Sequence, residues 1–92
     1  MSVLSEKLKS GATIVDVRTA EEFNESHYPD ACNIPVDQIQ KRMAEFGEKN
    51  SSLVLYCASG SRSAYAARIL KSAGYTDVIN AGGLEDMPGL PL

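Results

Sequence analysis

Within seven residues, Cys57-Ala58-Ser59-Gly60-Ser61-Arg62-Ser63, the chain gathers a thiol, three hydroxyls and one permanent cation, with only small residues between them. A thiol does chemistry as its thiolate. Free cysteine ionises near pH ~8.5, and a helix N-terminus or a basic neighbour lowers that value by one to several units. The first N–H groups of a helix lack intrahelical partners and together carry roughly half a positive elementary charge, which favours an anion placed there. Gly60 lets the backbone curl, the serines offer hydroxyl donors and Arg62 adds charge. The stretch therefore has the parts of an anion cradle, Ala58 to Ser63, built around a nucleophile, Cys57. The plainer reading is a buried thiol beside a serine-capped turn. Such a turn has no use for a thiol, an arginine and three hydroxyls converging on one point.

The cradle needs a strand before it and a helix after it. Leu53, Val54, Leu55 and Tyr56 are apolar without alternation, the pattern of a strand buried on both faces of a parallel sheet. The C-terminal edge of such a sheet is where open α/β folds bind ligands. Ala66, Ile69, Leu70 and Ala73 recur at helical spacing, which predicts a helix from about Arg62 to Ala73 closed by Gly74.

Upstream, Ser5 to Leu8 reads as a short helix ending near Gly11, and Thr13 to Val17 as a strand with Asp16 and Arg18 at its C-terminal end. Thr19 with Glu22 forms a capping-box pattern for a helix through about Glu25. A turn from His27 to Asp30 leads to a short strand near Cys32 to Ile34. Asp37 is the expected N-cap of a helix carrying Ile39, Met43 and Phe46 on one face, closed by Gly47. A final strand is expected around Val78 to Asn80. This alternation predicts an α/β fold with a mostly parallel sheet, helices on both sides and right-handed crossovers.

A chain of 92 residues makes one domain, read as 1–92, with a single modest core. No apolar stretch approaches the roughly 18 residues of a membrane span. The N-terminal segment has Lys7 and Lys9 but no apolar run after them, so it does not read as a secretory signal, and cytoplasm is the expected location. The two cysteines, Cys32 and Cys57, show no disulfide framework and are too few for a zinc site. No metal or cofactor is expected. Acidic and basic residues intersperse at a net charge of −3, so neither nucleic acid nor an anionic membrane is an expected partner. A monomer is expected.

The Cys-x-x-Gly-x-Arg-Ser pattern of Cys57 to Ser63 resembles the active-site loop of rhodanese-like sulfurtransferases. Asp16-Val17-Arg18, Glu22-Phe23 and the run from His27 to Pro35 are similar to that family's first signature, and Gly74-Tyr75, Val78 and Gly82-Gly83 to its last. The resemblance covers nearly the whole chain, in order. Ser26 and Asp30 stand where the family usually has glycine, and Leu84 where it commonly has an aromatic residue, so the turn and the pocket wall are expected to differ.

The resemblance implies a three-layer α/β/α fold with four or five strands, and the family's N-terminal edge strand is expected to be stunted in this chain. It implies a reaction in which Cys57 takes sulfur from a small anionic donor such as thiosulfate and passes it to cyanide, a thiol or a protein acceptor. Cysteine phosphatases and arsenate reductases also use a Cys-to-Arg loop, but theirs holds one residue more than the four between Cys57 and Arg62. A sulfur-carrier or regulatory module acting on a protein partner is the other alternative. Arg62 either binds the donor or pins the loop to a carboxylate, and the second is favoured. Cys32 reads as a buried small hydrophobe rather than a resolving thiol, and His27 as a residue that orders backbone. Asp16, Arg18 and Glu22 read as loop braces.

Overall fold

The computed structural model describes residues 3–89; residues 1, 2 and 90–92 of the expected single domain lie outside the described residues. Among the described residues four strands form one sheet in the order β2-β1-β3-β4, with every pairing parallel. They are β1 (Thr13–Asp16), β2 (Cys32–Asn33), β3 (Ser52–Cys57) and β4 (Asp77–Gly83). Three α-helices accompany them: α1 (Val3–Lys9), α2 (Ala20–Glu25) and α3 (Ser61–Ser72). The edge strand expected ahead of α1 falls outside the described residues, and the described sheet has four strands.

The unalternating run Leu53 to Cys57 is buried along its whole length, because both faces of β3 are covered. Leu53, Leu55 and Cys57 point to one face, where Ala66, Ala67 and Leu70 of α3 pack with Ile39, Phe46 and Tyr75. Val54 and Tyr56 point to the other, where they meet Met87, with Leu4 and Leu8 of α1 and Leu84 packed alongside. Period-two alternation on one strand thus divides the interior into two cores, one per face. Leu84, standing where the family commonly has an aromatic residue, fills the core opposite α3.

The chain runs from β1 outward to β2 and then crosses to β3 on the other side of β1, so the connections leaving β1 and β3 diverge. That reversal opens a crevice at the C-terminal ends of the two central strands. Cys57 ends β3 there. At the end of β1, Asp16 and Arg18 form a buried pair, Arg18 Nη2 standing 2.7 Å from Asp16 Oδ2 and donating also to the Ser26 carbonyl at 2.6 Å. The guanidinium lies 5.7 Å from the Tyr56 ring centroid. Burial pushes the Tyr56 hydroxyl up to about 12, so it stays protonated, and it accepts the Tyr28 N–H at 2.9 Å. Thr19 and Glu22 cap α2 reciprocally, as their spacing predicts.

The helix expected after Asp37 does not form. Ile39 and Phe46 are buried as expected, but they reach the core from two separate 3-10 turns, Val36–Gln38 and Met43–Phe46. Pro35, extended at ψ 147°, takes the N-cap position expected of Asp37, and no side chain caps the turn. Arg42 leaves helical dihedrals (φ −112°, ψ 25°), and its guanidinium holds Gln38, Glu45 and the Asn33 carbonyl. A helix of about ten residues is marginal on its own, so local packing and these bonds set the backbone. Gly47 closes the segment as expected, at φ 83°.

Cys32 also departs from expectation, being exposed on the two-residue edge strand β2 rather than buried. Edge position explains this, since β2 has a neighbour on one side only.

The two missing glycines differ in consequence. Ser26 is extended at φ −168°, a conformation open to any residue, so glycine is not needed there. Asp30 has φ 68°, the one positive φ of a non-glycine among the described residues. Left-handed backbone costs an L-residue about 1–2 kcal/mol, less for Asp, and glycine gives back part of that relief as chain entropy. Asp30→Gly is therefore expected to raise the unfolding free energy by about 0.5 kcal/mol and Asp30→Val to lower it by about 1–2 kcal/mol, read by urea denaturation.

Candidate active site

The loop begins where β3 ends and closes where α3 begins, and its tightest point is Gly60. Gly60 occupies the N-cap of α3 at φ 99°, a left-handed conformation suited to glycine, and no side chain caps the helix. The first N–H groups of α3 are thereby left facing the loop interior.

What fills that interior is the Cys57 sulfur, fully buried. Gly60 N–H donates to Sγ at 2.9 Å, Ser63 N–H at 3.4 Å, and Ser63 Oγ lies 3.4 Å away. Burial pulls the thiol up, but the hydrogen bonds from Ser63 and from the Gly60 and Ser59 backbone outweigh it, leaving Cys57 below the ordinary thiol range. The thiolate is thus favoured by neutral donors aimed at the sulfur.

The other loop residues are placed differently. Ala58, Ser59 and Ser61 are exposed on the rim, and the Ser59 and Ser61 hydroxyls face each other at 3.3 Å rather than the sulfur. Arg62 turns away from the cradle and forms a two-pronged pair with Glu22 of α2, at 2.7 and 3.1 Å. This is the bracing geometry favoured for Arg62, and it ties the first turn of α2 to the first turn of α3. His27 accords with its expected part as well: Nδ1 meets the Phe23 carbonyl at 2.8 Å and the ring stacks on Phe23 at 3.7 Å.

Cys32 pairs with Val15, and Val15 with Leu55, which puts Cys32 two strands and two residues from Cys57. Sheet spacings make that separation on the order of 12 Å. A disulfide needs Cα atoms within about 7 Å, so the fold does not pair the two thiols. Among the described residues no group of three His, Cys, Asp or Glu side chains is placed to hold a metal.

Two features escaped sequence reasoning. β4 shifts register between its pairings with Leu55 and Cys57, a bulge that brings Gly82 and Gly83 against the loop. A Cβ on Gly83 would lie 2.2 Å from the Ala58 carbonyl oxygen, which only glycine avoids. Asn80, beside the bulge, accepts from Ser63 Oγ at 2.6 Å and from Gly82 N–H at 3.0 Å, and donates to the Gly60 carbonyl at 3.2 Å. The Gly-Gly pair was visible in the sequence as a motif; an asparagine two residues before it was the only signal for Asn80.

The Arg62 guanidinium, with help from the Thr19 N–H, holds the Glu22 carboxyl at about 2. A folded value below the unfolded one gives stability that is present above pH ~4.5 and lost as pH falls toward ~2. Both side chains are about one-third exposed, so screening limits the pair to about 1 kcal/mol. Wild type should lose about that much more stability than Arg62→Ala between pH ~5 and ~2 in urea unfolding, and equal losses would show that the pair contributes nothing.

A family model for the rhodanese-like domain matches residues 1–87. Thiosulfate sulfurtransferase PspE of Escherichia coli (strain K12) is 40% identical over 74 residues, covering 79% of this chain and 71% of the relative. A protein of Bacillus subtilis (strain 168) named as a candidate sulfur carrier, YrkF, is 40% identical over 77 residues, 83% of this chain but 41% of its own length. Among solved structures, an E. coli rhodanese with anions superposes with a TM-score of 0.81 at 38% identity, over 88% of this chain and 95% of that one. A four-stranded parallel sheet, a cysteine loop closing on the N-terminus of α3 and this set of relatives agree, and the chain belongs to the rhodanese-like domain family.

Proposed function

We propose that this chain, acting as one domain over residues 1–92, is a sulfurtransferase that carries sulfane sulfur on Cys57. The observation that carries the reading is the buried sulfur with Gly60 and Ser63 donors aimed at it. The name of the Escherichia coli relative supplies the donor class, thiosulfate.

In the first step the Cys57 thiolate attacks the outer sulfur of thiosulfate. A new S–S bond forms, the S–S bond of the donor breaks, and sulfite leaves with the electron pair. The anion then resides on the outer persulfide sulfur, within the same cradle, so the donors that favour the thiolate also favour the intermediate. In the second step cyanide or a thiolate attacks that outer sulfur and Cys57 leaves as thiolate. No general base is required once the thiolate is formed, and the hydrogen bonds that lower the Cys57 thiol favour that form. Arg62, engaged by Glu22, holds the cradle in shape, while the exposed rim of Ala58, Ser59 and Ser61 is where donor and acceptor approach.

A second reading, sulfur delivery to a protein acceptor, is favoured by the likeness to the Bacillus subtilis relative. Both readings share the persulfide and differ in what removes it. The proposal places the chain as a monomer in the cytoplasm, a reducing compartment in which Cys57 and the exposed Cys32 persist as thiols. No helix of the described residues is long and apolar enough to cross a membrane.

Intact-mass measurement after thiosulfate treatment is expected to show one added sulfur atom on wild type and none on Cys57→Ser. An unmodified wild type would overturn the persulfide reading. Thiocyanate formation on adding cyanide to the loaded protein, against transfer only to a protein thiol, separates the two acceptors.

A further inference from the structure

Ser63 Oγ carries one proton and has four acceptors in reach: Asn80 Oδ1 at 2.6 Å, the Gly60 carbonyl at 3.2 Å, Cys57 Sγ at 3.4 Å and the Gly82 carbonyl at 3.4 Å. The shortest of these contacts is to Asn80. The same carboxamide reaches the Gly60 carbonyl through Nδ2 and accepts Gly82 N–H through Oδ1. One side chain therefore holds two of the residues whose donors lie on the sulfur, Gly60 and Ser63, and fastens them to the bulge of β4.

We propose that Asn80 is a positioning residue for Cys57, its carboxamide fixing the Ser63 hydroxyl and the Gly60 backbone in the arrangement that solvates an anionic sulfur. Asn80 does not touch the sulfur. It acts through residues that do.

The geometry also explains how the hydroxyl serves two states of the site. With Cys57 as a thiol, Ser63 donates to Asn80. With Cys57 as an anion, the proton turns to Sγ, and Asn80 Oδ1 still accepts Gly82 N–H at 3.0 Å, so no acceptor is stranded. A carboxamide fits this position because it offers an acceptor to Ser63 and a donor to the Gly60 carbonyl at once without adding charge beside the thiolate.

Among the ionisable groups on the elements packed around the sulfur, Arg62 of α3 pairs with Glu22 of α2, Asp16 with Arg18 at the end of β1 and Asp77 of β4 with Lys7, the Tyr56 hydroxyl of β3 accepts Tyr28 N–H, and Asp86 accepts Gly83 N–H at 2.7 Å. Each is engaged in a pair or hydrogen bond that Asn80 does not share. Substituting Asn80 therefore leaves those interactions in place.

The importance of Asn80 for turnover rests on the sulfurtransferase reading, but its action on Cys57 does not. The test is the pH profile of iodoacetamide alkylation of Cys57, measured in a Cys32→Ser background with no sulfur donor present, alongside thermal unfolding to confirm the fold. Asn80→Ala is expected to move the inflection upward, with alkylation near neutral pH slowed about three- to tenfold. In a Ser63→Ala background the same substitution should have less than half that effect on the inflection, because the two residues act as one unit. An unmoved or lowered inflection, or an equal shift in both backgrounds, would overturn the proposal. Should Asn80→Ala fail to fold, Asn80→Ser, which also cannot reach Ser63 and Gly60 together, is measured in the same way, with the same shifts supporting or overturning the assignment. A shifted inflection in a protein that never accepts sulfur from thiosulfate would sink the functional reading and leave Asn80 in place.

Discussion

The hydrogen bond from Gly60 N–H to Cys57 Sγ, 2.9 Å long, is the contact on which the rest of the site depends. It requires the chain to reverse within three residues of β3, which requires φ 99° at Gly60, which in turn sets where α3 begins. The Ser63 N–H and hydroxyl reach the sulfur only because α3 starts there. β4 meets the same constraint from the other side, bulging so that Gly82 and Gly83 fit against the curled loop. Burial alone would push the Cys57 thiol up, and these donors outweigh it and bring it below the ordinary thiol range.

Charge stays one step back from the sulfur. Arg62 is engaged by Glu22, and Arg18 by Asp16 and the Ser26 carbonyl, so each arginine joins two segments of chain. The two pairs differ in setting. Asp16 and Arg18 are buried and their geometry fixes the end of β1, while Glu22 and Arg62 lie partly in solvent and join α2 to α3. A cradle made of neutral donors suits the proposed cycle, in which the site holds an anion throughout, first the thiolate and then the persulfide.

Much of this was legible because short-range rules applied. The unbroken apolar run Leu53 to Tyr56 admits few arrangements other than a central parallel strand, and the Thr19–Glu22 capping box names its own partners. Arg62 was readable as a brace because an arginine one residue inside a helix points away from the loop before it. The failures lie where distant packing decides. Ile39, Met43 and Phe46 have helical spacing, yet Pro35 and the bonds of Arg42 break the segment into two turns. Cys32 looked apolar and buried, but an edge strand of two residues leaves it exposed. Asn80 could not be found by local pattern, since its partners Gly60 and Ser63 lie 20 and 17 residues away and meet it only through the β4 bulge.

If neutral hydrogen bonds hold Cys57 as a thiolate at neutral pH, the ionisation of its sulfur is directly observable. The measurement is a pH titration of thiolate ultraviolet absorbance on wild type, with Cys57→Ser subtracted to remove Cys32 and the tyrosines. The expected inflection lies clearly below that of free cysteine, about 8.5. An inflection at or above that value would contradict a cradle that works through neutral donors.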